Sequence, residues 1–166
     1  KNKSTIYVHP KNKDKLTLNW MQHNTIKNTV ETQWGFIVHA YINLLTEALK
    51  NKDNVKFVTI SESCIPITSF DKLYDDLVIK APADQSIIKK MRISKYDMAE
   101  RIENQPNHNK YTFTKHYARF CLSRKHAELI VNSSKDYLEF FYNMHVGDEF
   151  FLSILFEKDP TNILDK

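Results

Sequence analysis

Apolar residues recur along this chain at two spacings, and those spacings assign most of its elements. Ile37, Ala40, Tyr41, Leu44, Leu45, Ala48 and Leu49 return every three or four positions, which predicts an amphipathic helix. Val55 to Ile60 are β-branched or aromatic at nearly every position and predict a buried strand. Ser61-Glu62-Ser63-Cys64 breaks that run, and Pro66 forbids its continuation. Shorter extended pieces are expected at Thr5 to His9, stopped by Pro10, at Ile26 to Val30, and at Arg119 to Leu122. Thr68 with Asp71 opens a second helix carrying Phe70, Leu73, Tyr74, Leu77 and Val78. The pattern weakens over 80–112, which is expected to be an irregular excursion of the kind that covers a cleft. Short helices follow near 124–132, 134–145 and 148–156, the second capped by Ser133 with Asp136 and the third by Asp148. The strand–helix–strand order predicts an α/β fold with a mostly parallel sheet and a right-handed crossover, in one domain over 1–166.

Composition narrows the classes. A hydrophobic share of 42 % with 12 % aromatic residues excludes general disorder. A formal charge of +4, with lysines interleaved among acids, gives no contiguous basic patch for nucleic acid, and no nucleic-acid partner is expected. No apolar run reaches membrane-spanning length, and Lys1-Asn2-Lys3-Ser4 is not a signal peptide. The chain lacks an initiating Met and reads as a fragment. The sequons at Asn2 and Asn132 matter only in a secretory lumen. With only two glycines, Gly35 and Gly147, each is expected where the backbone is special or something approaches closely.

Candidate chemistry gathers in two places. The loop Ser61-Glu62-Ser63-Cys64 offers two hydroxyls, a carboxylate and a thiol at the end of a strand, where open α/β sheets bind ligands. Gly147-Asp148-Glu149 sets two carboxylates before an apolar run; they serve either the helix dipole or, for Glu149, proton abstraction from an attacking hydroxyl. Trp34 reads as core or as site, and Glu62 as loop cap or as site. Cys64 and Cys121 are expected to be reduced and inert, and the seven histidines show no zinc spacing.

Four blocks in register resemble the core-2/I-branching β-1,6-N-acetylglucosaminyltransferases and the related peptide xylosyltransferases. They are Ile6-Tyr-Val-His9, Gln33-Trp-Gly35, Phe57-Val-Thr-Ile-Ser-Glu-Ser-Cys-Ile-Pro-Ile67, and Phe120-Cys-Leu-Ser-Arg-Lys-His-Ala127 continuing to Gly147-Asp-Glu-Phe-Phe151. The resemblance implies a GT-A-like, Rossmann-related fold, here incomplete at both ends, and an inverting, metal-independent transfer of a sugar, N-acetylglucosamine foremost, from a UDP-sugar to a hydroxyl of a glycan or glycoprotein. It implies no cofactor, and the chain has no Asp-x-Asp to hold a divalent ion. It places Glu149 as catalytic base beside Asp148, puts His9, Pro10, Trp34 and Gly35 on the donor side, and puts Ser61, Glu62, Ser63, Cys64, Lys115 and Arg119 around the acceptor. Both carboxylate and loop are expected to face one nucleotide-sugar pocket. A membrane enters only through a segment absent from this chain, with a Golgi-type lumen as compartment if the whole protein follows the family and the cytoplasm otherwise. The departures are Tyr117-Ala118-Arg119 where many relatives have Ser-Gln/Asp-Trp, Cys64 where animal relatives carry Asp, and diphosphate-neutralising basic residues that in the family lie beyond the acidic helix. The alternative is an inactive nucleotide-sugar- or glycan-binding remnant of the same fold.

Overall fold

A four-stranded sheet carries the molecule, and its strand order is not the order of the chain. The computed structural model describes residues 3–165, so the sequon at Asn2 lies outside the described residues. The strands are β1 (Lys56–Val58), β2 (Ser86–Lys90), β3 (His116–Ser123) and β4 (Ile163–Leu164), arranged β1-β3-β2-β4. β3 pairs antiparallel with both β1 and β2, and only β2 and β4 run parallel. The expected mostly parallel sheet is therefore corrected to a mixed one. The physical reason is that β1 finds its partner in β3, with Phe57 opposite Leu122, rather than across the helix that precedes it. Thr5 to His9 does not enter this sheet; Val8 makes a parallel bridge to Thr25 alone, across a short helix α1 (Asn19–His23).

The register divides the sheet into two faces. Phe57 lies opposite Leu122, and Ile88 opposite Phe120; all four are buried under helices. Val58, Cys121 and Ile87 share the other face, where Val58 is largely exposed. The strand at 55–60 is thus buried on one side only, a correction to the fully buried reading: it is an edge strand, with Val55 and Ile60 also exposed.

The expected helix over 37–49 forms as α2 (Val38–Leu49), burying Val38, Ile42 and Leu45. α3 (Phe70–Tyr74) starts at Ser69, whose hydroxyl accepts from Lys72 N–H, and widens into π-helical turns over Asp75–Lys80. The 80–112 segment contains β2, an inner strand, and a second π-helical stretch at Asp97–Glu103 with Ile102 buried. It is therefore not wholly irregular.

α4 (Arg124–Val131) is capped by Ser123 and α5 (Lys135–Asn143) by Ser134, one residue after the expected Ser133. The Ser133 hydroxyl instead donates back to the Leu129 carbonyl. The helix expected from 148 is corrected: Gly147–Glu149 forms a single 3₁₀ turn, and α6 spans Ser153–Lys158. α2, α4, α5 and α6 enclose a core around Phe141, Phe150, Phe151, Leu152 and Leu155.

Candidate active site

Three chain segments are locked together around residues 145–149, and the two glycines do the locking. Gly35 adopts φ +80, and an added Cβ would lie 2.8 Å from His145 Cδ2. Its carbonyl accepts from Val146 N–H at 2.7 Å. Gly147 has even less room, since a Cβ there would sit 2.3 Å from the Phe141 carbonyl oxygen. Val146 between them takes a left-handed φ of 60, a strained conformation for a β-branched residue. The expectation that both glycines occupy special positions holds, for two different reasons.

Asp148 points inward and Glu149 outward. Asp148 is 7 % exposed, and its Oδ1 has no hydrogen-bond partner. Burial pushes its carboxyl above the usual carboxylate range; the neighbouring Glu149 charge adds to this, against the pull of Arg119 and His145. The Glu149 side chain is 25 % exposed and lies 3.2 Å from Lys115 Nζ and 3.7 Å from Arg101 Nη1.

Beneath these two cations sits Asp97, fully enclosed. It accepts from Ser94 N–H (3.0 Å) and Ser94 Oγ (2.7 Å), from Arg101 (2.7 Å) and from Lys115 (3.0 Å). Burial alone would raise its carboxyl, but the two Ser94 bonds and the Lys115 ammonium outweigh it and hold the pKa at about 2. Two acids and two bases thus form one compact network. Arg101 Nε within it has no partner.

The loop after β1 lies on the other side of Arg119. The Ser61 and Ser63 hydroxyls are 3.0 Å apart, and the Cys64 thiol accepts from Ser61 N–H at 3.3 Å. Those bonds, with the Ser61 hydroxyl first and the Arg119 guanidinium after them, bring the exposed Cys64 thiol down to about 7. Both cysteines are free, as expected; the exposed Cys64 has the lowered pKa of a more reactive thiol, whereas Cys121 is buried and raised to about 11. Glu62 is exposed. Arg119 donates to Tyr41 Oη at 3.5 Å, and the Tyr41 hydroxyl feels Arg119, Asp148 and Cys64 together, although burial is what lifts it to about 12. The resulting series runs Cys64, Arg119, Tyr41, Asp148, Glu149, Lys115.

Trp34 is 77 % exposed and is not core; its ring stands 5.3 Å from His145. His9 accepts from Val30 N–H at 3.0 Å, and its electrostatic neighbour is His39, which stacks on Tyr142 at 4.4 Å. Pro10 is buried. His9 and Pro10 have no described bond to Asp148 or Glu149.

One concavity of about 320 Å³ opens beside Arg119, between α3 and the exposed sheet face, and another of about 340 Å³ lies against α5. Neither is lined by Glu149 or by residues 61–64; what links those two places is the chain of interacting groups through Arg119, Tyr41 and Asp148. The sequence reading missed Asp97, Arg101 and Tyr41. The Ser94-x-x-Asp97 capping signature and the four-residue spacing to Arg101 were the available signals.

A second constellation has a Ser-His-Asp arrangement. Ser86 Oγ lies 2.7 Å from His126 Nδ1, and His126 Nε2 lies 3.2 Å from Asp159. Ser86 and His126 have no exposed surface, so no substrate reaches them, and the trio ties β2 to α4 and the C-terminal turn. Among the described residues no group of His, Cys, Asp and Glu is arranged to hold a metal ion, and no helix is long and apolar enough to cross a membrane.

Comparison with known proteins joins these segments to one lineage. The family model described as "Core-2/I-Branching enzyme" matches residues 1–164, nearly the whole chain. The chain belongs to the Core-2/I-Branching enzyme family. A curated relative, glycosyltransferase BC10 of Oryza sativa subsp. japonica, is 27 % identical over 121 residues. The alignment covers 69 % of this chain and 28 % of the relative, so the chain spans well under half of that protein's length. Membership agrees with a mixed α/β architecture and with the resemblance carried by the four sequence blocks.

Proposed function

We propose that this chain carries the base-bearing part of a glycosyltransferase that moves a sugar from a UDP-sugar to a hydroxyl of a glycan or glycoprotein, with inversion and without a metal. N-acetylglucosamine is the sugar the family points to. The observation that carries this reading is the split pair at 148–149: Asp148 is buried with a raised pKa, while Glu149 is partly exposed and pinned by Lys115 and Arg101. Adjacent carboxyls in opposed environments are a recurring acid–base arrangement. In this scheme the acceptor oxygen bonds to the anomeric carbon as the bond to the diphosphate oxygen breaks. UDP departs with that electron pair from the opposite face, and Glu149 takes the acceptor's proton. Trp34, Gly35, His9 and Pro10 lie on the donor side, and Ser61 to Cys64 with Lys115 and Arg119 border the acceptor, where Arg119 adds positive charge to the cleft.

The test is calorimetric titration of the chain with UDP and UDP-N-acetylglucosamine, followed by a UDP-release assay with β-galactoside and mucin-type acceptors. Release is expected, and Glu149→Gln should lower it at least about 100-fold with UDP binding kept. Unchanged turnover in that variant removes Glu149 from the mechanism. Binding with no release favours the inactive remnant.

A further inference from the structure

The concavity against α5 is unconnected to the chemistry above and is built differently. Its volume of about 340 Å³ falls at the small end of ligand sites. One wall is aromatic: Tyr111 and Phe140 meet at 4.7 Å with their planes 53° apart. Both rings are held from behind, Tyr111 edge-on to Tyr137 at 5.6 Å and Phe140 edge-on to Phe141 at 5.1 Å. The other wall is polar. Asp136, Glu139 and Asn143 fall three and four residues apart on one face of α5, and Lys110 closes the opposite side. The connector that forms the rim turns at Asn107, a non-glycine residue at φ 63, fixed by Lys110 N–H donating to its carbonyl at 3.0 Å.

This lining selects a ligand class. Glu139 pairs with Lys135 at 3.4 Å and Asp136 faces Lys110, so the lining carries no net positive charge to draw phosphates and other anions. An apolar ligand would strip water from those carboxylates and give them no donor in return. A pyranose meets both walls: its C–H face lies on the rings, and its hydroxyls donate to the carboxylates and exchange bonds with the side-chain amides. A layer of aromatic rings separates this place from Glu149. Phe113 lies 5.8 Å from Phe140 and 6.3 Å from Phe150, the residue after Glu149.

We propose that the concavity between Tyr111, Phe140 and the Asp136–Glu139 turn of α5 is a second carbohydrate site, taking a neutral pyranose unit of an oligosaccharide. It does not depend on the transferase reading, because no residue lining it belongs to the network around Glu149.

Saturation-transfer NMR of the chain with chitotriose, cellotriose and N-acetyllactosamine tests it. At least one probe should bind with a dissociation constant near about 1 mM, and Tyr111→Ala should weaken it at least about tenfold. Asp136→Asn, an exposed change that leaves the rings in place, should weaken it several-fold and guards against a folding defect in the first variant. UDP-N-acetylglucosamine binding should be unchanged in both. No saturation by any probe up to about 10 mM, or binding indifferent to both variants, overturns the proposal. Stronger competition by inorganic phosphate than by a second sugar also overturns it. Oligosaccharide binding at Tyr111 without UDP-sugar binding would sink the transferase reading and leave this one standing.

Discussion

Removing the Asp97 carboxylate should cost this protein several kcal/mol, far more than an ordinary surface change. The side chain is 3 % exposed and satisfies two cations at once, Arg101 at 2.7 Å and Lys115 at 3.0 Å. Those cations are themselves largely buried, and without Asp97 Glu149 is the one carboxylate left to them among the described residues, at 3.7 and 3.2 Å. The network then changes from two acids and two bases to a net positive cluster in a poorly solvated site. Breaking a buried pair in this way typically costs about 3–5 kcal/mol, because a charge is left without compensation. Against a total stability of about 5–15 kcal/mol, that is a large fraction. Urea unfolding followed by tryptophan fluorescence reads it directly: a loss of 3 kcal/mol moves the midpoint down by about 1–3 M. Asp97→Asn, which keeps an acceptor for Ser94, should fall between wild type and Asp97→Ala. The pH dependence supplies an independent arm. A carboxyl held at about 2 instead of 3.8 contributes stability that is present above pH 4 and lost as pH falls toward 2. The difference is worth at most about 2.5 kcal/mol. The gap between wild type and Asp97→Asn should therefore narrow across that window. Adding Lys115→Met to Asp97→Ala should recover part of the loss, since it removes the stranded ammonium. An Asp97→Ala midpoint within about 0.5 kcal/mol of wild type would refute the reasoning.

Other expectations follow from single residues. His116 is fully buried and depressed to about 4, its Nε2 accepting from Leu152 N–H and its Nδ1 3.1 Å from the Tyr117 carbonyl. Its neutral form therefore supports the fold above pH 6.5, and about 3 kcal/mol should drain away between pH 6.5 and 4; His116→Gln should flatten that part of a stability–pH curve. Gly147→Ala should unfold the chain or cost more than about 4 kcal/mol, since its Cβ meets backbone rather than a movable side chain. Gly35→Ala, which meets the His145 ring, should cost about 1–3 kcal/mol, and thermal melts rank the two. A thiol-exchange reagent should titrate Cys64 with an apparent pKa near 7 and leave Cys121 unreacted until denaturant is added; Arg119→Met should shift the Cys64 profile upward.

The elements that sequence reading placed well are those whose spacing acts locally. The apolar stripe of α2 repeats every 3.6 residues and needs no knowledge of its partner, so it was legible from Val38 to Leu49. β3 was legible only at its apolar end, because its first half, His116-Tyr-Ala, carries no strand pattern and is fixed by pairing with Lys90. β2 escaped notice for a similar reason: Ser86-Ile-Ile-Lys-Lys is short, and its burial comes from neighbours on both sides. The parallel-sheet inference failed because proximity in the chain does not fix which strands pair. Around the candidate site, resemblance pointed to Glu149, Cys64 and Arg119, yet it gave no sign of Asp97. That residue is defined by ion pairs to side chains 4 and 18 positions away, within a stretch whose composition resembles a loop.

The strain at residues 145–149 and the opposed fates of the two acids have one origin. A 3₁₀ turn advances about 120° per residue, so consecutive side chains leave it in widely separated directions. Val146 in a left-handed conformation sets the entry angle of that turn, and Gly147 admits the Phe141 carbonyl where a side chain would stand. The turn closes with Glu149 N–H donating to the Val146 carbonyl at 3.0 Å and Phe150 N–H to Gly147 at 2.9 Å. With that backbone fixed, Asp148 has no course but inward, toward Tyr41 and Arg119. Glu149 is carried out to Lys115 and Arg101. A regular α-helix beginning at Asp148, as the apolar run after it suggested, would have needed no left-handed residue before it. The strained Val146, bonded to Gly35 and followed by Gly147, fixes the turn from which one carboxyl of the Asp-Glu dipeptide is buried and the other presented.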